Sequence, residues 1–430
     1  MRPTTLILPL LLISHVATAQ ITIVIDGASA RAFPLAVDDP MIHGADTRDA
    51  ATKANEVART NLDSTGLFAL IDPKAHIEPA EAGLEPGTFA WEDWEIAGAA
   101  ALVKVHYRSA SGTIHAKVFV HDVQGRSQVG FREVEAPSEN IGLLGDRIAD
   151  AAFSLLTGEQ PMFESLIAAV QERNGSKEIV LLDVRGDVVR AITRDSSIAL
   201  SPNWFPDGKS ICFTSFRRDD PDLYMWNGSG IRALSTRPGI DSGCAVRPGG
   251  AQVAVSRYSS GDAEIYLLDQ SGNNPVRLTK SWGIDVSPTW SPDGQEMAFV
   301  SGRNGFPTVF IMAPDGSGDA RQLTRAGKHN VAPDWSPTGE YIAFSARDEG
   351  RFDLFIVRPD GTGLRRLTQS SGNDEDPTWS PNGRWLMFVS DRTGTPELWM
   401  VDREGRVEVQ LTRGGNISNP SWSPYLGDKP

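Results

Sequence analysis

The sequence predicts a small α/β domain followed by an all-β ring of six four-stranded blades. Two markers and one asymmetry carry the prediction. A Trp-Ser-Pro-Asp-Gly-like turn recurs, with its proline at Pro206, Pro248, Pro292, Pro337, Pro381 and Pro424, spaced 42 to 45 residues apart. A Leu-Thr-like pair at Ile192-Thr193, Leu234-Ser235, Leu278-Thr279, Leu323-Thr324, Leu367-Thr368 and Leu411-Thr412 keeps the same beat. Two independent markers at one fixed period define a repeat architecture. The asymmetry lies at the ends of the array, where the first and last repeats are each incomplete.

Each repeat reads as four strands. Strand A carries the tryptophan and the turn, B an Ala-Phe-Val-like run, C an Ile-Tyr-Leu-like run, and D the Leu-Thr pair. In one unit these are Thr289–Ser291, Met297–Ser301, Thr308–Met312 and Arg321–Thr324. The first set, Leu166–Val170, Glu178–Asp183 and Val189–Thr193, has no A strand before it. The last A strand, Ser421-Trp422-Ser423-Pro424, has no B, C or D after it. The halves complete each other, so the array is expected to close as a six-bladed β-propeller by pairing of the C-terminal strand with the N-terminal blade. A ring leaves no open sheet edges, whereas an open solenoid needs caps that are absent here. Trp204, Trp290, Trp335, Trp379 and Trp422 recur at one position of strand A and are expected to pack between blades.

Upstream of the array the pattern is mixed. Ile21–Ile25 alternates as a strand, and Thr52–Leu62 presents Ala54, Val57, Ala58 and Leu62 on one helical face. Ala99–Tyr107 and Thr113–Asp122 form strands about a Ser111-Gly112 turn, and Val129–Val134 adds a third. Ser138 is read as the cap of a helix with Leu144, Ile148, Ala152, Leu155 and Leu156 on its face, closed by Gly158. Trp91 and Trp94 are placed in a polar loop that packs on the domain. His115 and His121 share a strand face with no evident partner and are read as solvated or hydrogen-bonded residues, not metal ligands.

The chain begins with Arg2, an apolar run from Leu6 to Val16, and Ala17-Thr18-Ala19, the pattern of an export signal cleaved before Gln20. The run is too short to span a bilayer. The expected organisation is therefore a signal peptide over 1–19, an α/β domain over 20–158 and the propeller over 159–430, in an exported protein. A net charge of −14 argues against nucleic acid and against an anionic membrane surface as partners. The two cysteines, Cys212 and Cys244, fall in neighbouring repeats. They could meet as a disulfide in an oxidising compartment, which sequence alone leaves open.

No catalytic signature is present: neither a Gly-x-Ser-x-Gly elbow, nor His-Glu-x-x-His, nor a complete phosphate-binding loop. No cofactor or metal is expected. The alternative of a secreted propeller enzyme, a polysaccharide lyase or glycosidase, would need a histidine cluster or paired carboxylates on the ring axis. The propeller has one histidine, His329. The connections from D into the next A are expected to converge as loops at one mouth of the ring. They contain Ser196–Pro202, Asp241-Ser242-Gly243, Asp285-Val286-Ser287-Pro288, His329-Asn330 and on to Pro333, Asn373-Asp374-Glu375-Asp376-Pro377, and Asn416–Pro420. Converging polar loops on a rigid scaffold are a common binding site, and the acids among them are expected to focus a negative field.

Together, the export signal, the α/β domain, the Trp-Ser-Pro-Asp-Gly blades, Leu156-Thr157-Gly158 at the domain junction and the closing Ser421-Trp422-Ser423-Pro424-Tyr425-Leu426 resemble the TolB family, periplasmic proteins of the Tol–Pal envelope system. Pro248-Gly249-Gly250 and Cys244 depart from the repeat. The resemblance implies a non-enzymatic adaptor serving envelope integrity and constriction at cell division, acting as a single copy within a hetero-complex. It implies that the lipoprotein Pal docks on the mouth residues named above. It also implies that the inner-membrane protein TolA binds the mature N-terminus, Gln20, Ile21, Thr22, Ile23, Val24, Ile25 and Asp26, by strand addition.

Overall fold

The computed structural model describes residues 32–427, apart from 44–46, 80–81, 219, 238, 259–260, 326 and 349. The expected export signal at 1–19 and the expected partner-binding strand Gln20–Asp26 lie outside the described residues. Among the described residues, no helix is long and apolar enough to cross a membrane.

The first domain is a sheet with two helices on one face. Its strands are β1 (Phe33–Val37), β2 (Met41–His43), β3 (Phe68–Leu70), β4 (Ala101–Ala110), β5 (Thr113–Asp122) and β6 (Ser127–Pro137). The order is β3-β1-β4-β5-β6, with β2 also paired to β4. β1 runs parallel to β3 and β4, while β4, β5 and β6 form an antiparallel meander. Ser111 and Gly112, with φ of 52° and 81°, make the tight turn between β4 and β5 that the sequence predicts. Helices α1 (Arg48–Ser64) and α3 (Ile141–Thr157) pack side by side over the sheet, burying Ala54, Ala58, Leu62, Leu144, Ile148 and Ala152. Gly145 permits their close approach, since a Cβ there would lie 2.4 Å from the Val57 side chain.

Three readings of this domain need correction. The cap of α3 is Asn140, whose side chain accepts from the Leu143 N–H at 3.1 Å, not Ser138. Trp91 and Trp94 do not sit in a loop but in a short helix α2 (Trp91–Ile96) on the other face of the sheet, with Trp94 buried. His115 does have a carboxylate neighbour, Glu135 Oε2 at 2.8 Å on the adjacent strand. Strand register, which local sequence does not specify, created that pair. His121 is buried among Phe89, Trp91 and Phe119, and burial pushes its imidazole down to about 4, so it is neutral.

The remainder is six four-stranded antiparallel blades. Blade 4 has Asp285–Trp290, Met297–Ser301, Thr308–Met312 and Arg321–Gln322 as A to D. Blades 2, 3, 5 and 6 span 199–235, 240–277, 328–366 and 374–410. Blade 1 takes B, C and D from Ile167–Arg173, Ser176–Leu182 and Val188–Ala191, and its A strand from Ile417–Trp422 at the other end of the chain. Neighbouring A strands touch around the whole ring, so A is innermost.

The repeat markers are structural devices. In the turn of blade 4, Ser291 Oγ accepts from the Glu296 N–H at 2.9 Å and donates to Asp293 Oδ1 at 2.6 Å, and Gly294 supplies a φ of 67°. The threonine of the Leu-Thr pair accepts a backbone N–H of strand C at 2.9 to 3.0 Å in five blades, from Ile179, Ile265, Val309, Leu354 and Leu398. It pins a D strand that is only two residues long in blades 3, 4 and 5. The A-strand tryptophans pack between blades as predicted. Trp204, Trp290 and Trp379 each donate Nε1–H to a carbonyl of the preceding blade, of Ser421, Ala245 and Asp334 respectively.

The first domain seats on the end of the ring formed by A–B turns and C–D loops. Arg185 in a C–D loop reaches Asp146 and Asn61, both at 2.8 Å, and Arg384 in an A–B turn reaches Glu159 at 2.6 Å. Gly66, at φ 65°, lies against Val407 where a Cβ would come within 2.4 Å. At the junction, buried Asp150 accepts from the N–H groups of Met162, Phe163 and Glu164 at 2.7 to 3.0 Å and from the Tyr425 hydroxyl at 3.2 Å. Burial pushes its carboxyl up to about 7 against the pull of those three N–H groups. An unfolded aspartate titrates near 4 (about 3.9). Between these values the folded chain holds the extra proton, so stability falls as pH rises from about 4 to about 7 and is flat above. Asp150→Asn keeps an acceptor and removes this titration. The urea midpoint of that variant should therefore vary less between pH 5 and 7 than the wild type's, by on the order of 1 kcal/mol per pH unit.

Candidate functional site

The first domain covers one end of the ring; the other end, where D–A and B–C connections emerge, is left uncovered by the described residues. The segments expected to be loops at this mouth are instead the beginnings of the A strands. Asp241-Ser242-Gly243, Asp285-Val286-Ser287, His329-Asn330 and Asp374-Glu375-Asp376 lie within Ile240–Val246, Asp285–Trp290, Lys328–Trp335 and Asp374–Trp379. Asn416 immediately precedes Ile417–Trp422. Pro288, Pro333, Pro377 and Pro420 are tolerated within these strands because strand A is innermost, so its second edge faces the channel and has no ladder bond to lose.

Each A strand carries a bulge at the same place. Register shifts there in all six blades, and Ser201, Gly243, Ser287, Ala332, Asp376 and Asn419 have φ between 46° and 60°. The bulge residues thus stand in one ring around the channel, with Ser242 and Ser287 exposed.

The expected focused acidic field does not form from the repeat acids. Asp241 is buried and doubly bonded to Arg257, at 2.5 and 2.7 Å. Asp285 is buried against Arg303 at 3.1 Å and Ser281 Oγ at 2.8 Å, and Asp374 against Arg392 at 2.8 Å and Ser370 Oγ at 3.1 Å. These three acids lock the start of strand A to the end of strand B and are neutralised where they stand. Asn330 is likewise fully buried. The partners were missed because the arginine lies 16 to 18 residues downstream, across a hairpin whose register only the folded sheet sets. Glu375 and Asp376 alone keep a negative cluster. Burial, then the charges of Asp376, Asp391 and Asp374, raises the Glu375 carboxyl, and burial raises that of Asp376, which accepts from Asn419 Nδ2 at 2.6 Å.

The mouth also exposes apolar side chains. Ile198, Phe216, Ile240, Tyr258, Trp282, Ile284 and Phe306 all emerge from its connections, and Trp282 is 75% exposed. His329 meets the Phe306 ring edge-on with centroids 6.3 Å apart. Sequence reading missed these side chains because it followed the repeat. Their signal was an aromatic residue outside the repeat register, in Lys280-Ser281-Trp282-Gly283-Ile284 above all. Clustered exposed apolar side chains on a rigid end face suit protein docking.

Comparison with known proteins agrees with both halves of the chain. The family model described as the TolB beta propeller domain matches residues 153–426, and that of the TolB amino-terminal domain matches residues 21–129. A Tol-Pal system protein TolB of Anaeromyxobacter dehalogenans strain 2CP-C is 34% identical over 271 residues, 63% of this chain and 62% of that protein. A TolB homolog of Chlorobium luteolum is 31% identical over 281 residues, 65% of this chain and 64% of that protein. The chain thus spans a little under two thirds of the length of these curated relatives. The crystal structure of TolB from Acinetobacter baumannii superposes with a TM-score of 0.81 at 23% identity, covering 91% of this chain and 97% of that one, a likeness of fold.

Proposed function

This chain belongs to the TolB family, and on that premise we propose that it is a non-catalytic periplasmic adaptor of the Tol–Pal system. In this reading the propeller mouth docks the lipoprotein Pal, and the segment Gln20–Asp26 adds a strand to TolA, so that one chain links outer-membrane and inner-membrane partners. The observation that carries it is the seating of the first domain on the A–B end of the ring, which leaves the mouth and its apolar side chains uncovered among the described residues. The disulfide between Cys212 and Cys244 supports an oxidising compartment.

Immobilised full-length chain should retain the soluble domain of Pal, and Ser242→Glu, which places a longer, negatively charged side chain on the exposed rim, should weaken retention by about tenfold or more. Deleting residues 20–26 should abolish TolA binding and leave Pal binding intact. No retention of Pal by the intact chain at low salt would end this reading.

A further inference from the structure

We propose that one arc of the mouth, on blades 3 and 4 and the start of blade 5, is a docking surface for an acidic protein face that carries apolar anchors. The inference rests on the reading of the mouth as the docking end and specifies the chemistry of the partner. The arc comprises the described residues 236–237, 239–240, 258, 261–263, 280–284, 302–307, 325 and 327–329 of its connections. They expose Ile240, Tyr258, Trp282, Ile284 and Phe306 in adjacent positions. The connections touch. The Gly302 N–H donates to Ile284 O at 2.7 Å, and the Asn330 N–H donates to Pro307 O at 2.8 Å, tying blade 5 to blade 4. Gly283, at φ 86°, is held so close that a Cβ would lie 3.0 Å from the Gly302 carbonyl carbon. Trp282 therefore stands on a connection fixed against its neighbour, which lowers the ordering cost of using it as an anchor.

Charge decides what it anchors. Arg237, Lys280, Arg325 and Lys328 are exposed on this arc. Among the described residues the first three make no ion pair or hydrogen bond, and Lys328 lies 5.0 Å over the Phe306 ring. The arc's acids Asp241, Glu264 and Asp285 are each spent on an arginine, Arg257, Arg277 and Arg303. Asp262 is the one exposed acid in these connections. Elsewhere around the mouth the charges alternate: Asp195 pairs with Arg217, Asp348 with Arg366, and Glu375, Asp376 and Asp391 crowd blade 6. The arc is thus an unneutralised positive patch on a chain of net charge −14, mixed with aromatic side chains. Such a patch attracts a face bearing carboxylates, steers its approach, and turns away basic or uncharged competitors. The aromatic anchors then set the residence time.

The test is surface plasmon resonance of the full-length chain against the soluble domain of Pal from 50 to 500 mM NaCl. The variants are Arg237→Glu/Lys280→Glu/Arg325→Glu, Trp282→Ala, and Arg194→Glu/Arg413→Glu on the opposite arc. Thermal melts confirm that each variant folds. The expected result is an on-rate that falls steeply with salt and drops about tenfold or more in the triple variant, with its salt dependence flattened. Trp282→Ala should raise the off-rate by about tenfold or more, and the opposite-arc pair should bind as wild type. An on-rate indifferent to salt and to the triple reversal overturns the inference while leaving Pal docking at the mouth in place. No binding at any salt overturns both. Self-association of the chain in sedimentation, abolished by the triple reversal, would make the occupant a second copy and overturn it as well.

Discussion

A chain ending at Gly415 is expected to lose cooperative folding of the propeller. Ile417–Trp422 is the innermost strand of blade 1, paired antiparallel with Ile167–Arg173 through Ile417↔Gln171 and Trp422↔Ile167. Its loss uncovers the full inner edge of that strand, and with it an open sheet. It also removes both seams that the strand fills. Trp422 is buried between blades 6 and 1, donating Nε1–H to Ser165 Oγ at 2.8 Å and its backbone N–H to Thr378 Oγ1 at 3.1 Å. On the other side, Trp204 of blade 2 loses the Ser421 carbonyl. Beyond the strand, Ser423 Oγ accepts from the Leu166 N–H at 3.0 Å, and Tyr425 holds Asp150 at the domain junction. Trp422→Ala alone should cost about 3 to 5 kcal/mol, and the truncation well above that. Urea unfolding followed by circular dichroism, with sedimentation to detect aggregation, reads both. An unchanged, cooperative midpoint in the truncated chain would show that the ring does not depend on this strand.

Breaking the Cys212–Cys244 bond is expected to have the next largest effect, at the seam between blades 2 and 3. Every other seam holds an A-strand tryptophan: Trp204, Trp290, Trp335, Trp379 or Trp422. The seam between blades 2 and 3 holds Val246 at that position, packed with Phe205, Leu223, Val253 and Leu268. The turn that follows is Arg247-Pro248-Gly249-Gly250, which lacks both the serine and the aspartate that brace the blade 4 turn. Here the disulfide joins strand B of blade 2 to strand A of blade 3, with Cα atoms 6.4 Å apart and a sequence separation of 32. It stands where the repeat's own lock is missing. Closing a loop of that length is worth about 3 to 4 kcal/mol, chiefly through the unfolded chain. The Cys212→Ser/Cys244→Ser variant should unfold at lower urea by that amount, and reductant should bring the wild type to the same midpoint while leaving the variant unmoved. Hydrogen exchange should rise first in 211–215 and 240–246. Equal stability of the oxidised wild type and the variant would remove the bond from the account of this seam.

How much could be read in advance depended on the distance over which each feature is encoded. The turn of blade 4 and the Leu-Thr pair were legible because their hydrogen bonds close within about fifteen residues or fewer, inside one repeat. The D-to-A segments do gather at one end of the ring, but their acids do not carry the free charge read from the sequence. Asp285 and Asp374 look like a binding surface in one dimension and are buried ion pairs in three. Trp282 and Phe306 look like loop residues, and they face solvent on adjoining connections.

By itself the sequence determined the number of blades, the strands of each and the halved ends that make a ring, because periodic burial and turn chemistry are local properties repeated at a constant spacing. Only the tertiary structure decided which acids are neutralised, that the two cysteines meet, which end of the ring the first domain covers, and which side chains stay exposed. Those depend on register between strands and on packing between blades, where the partners lie across a hairpin or in a neighbouring repeat and no short-range pattern names them.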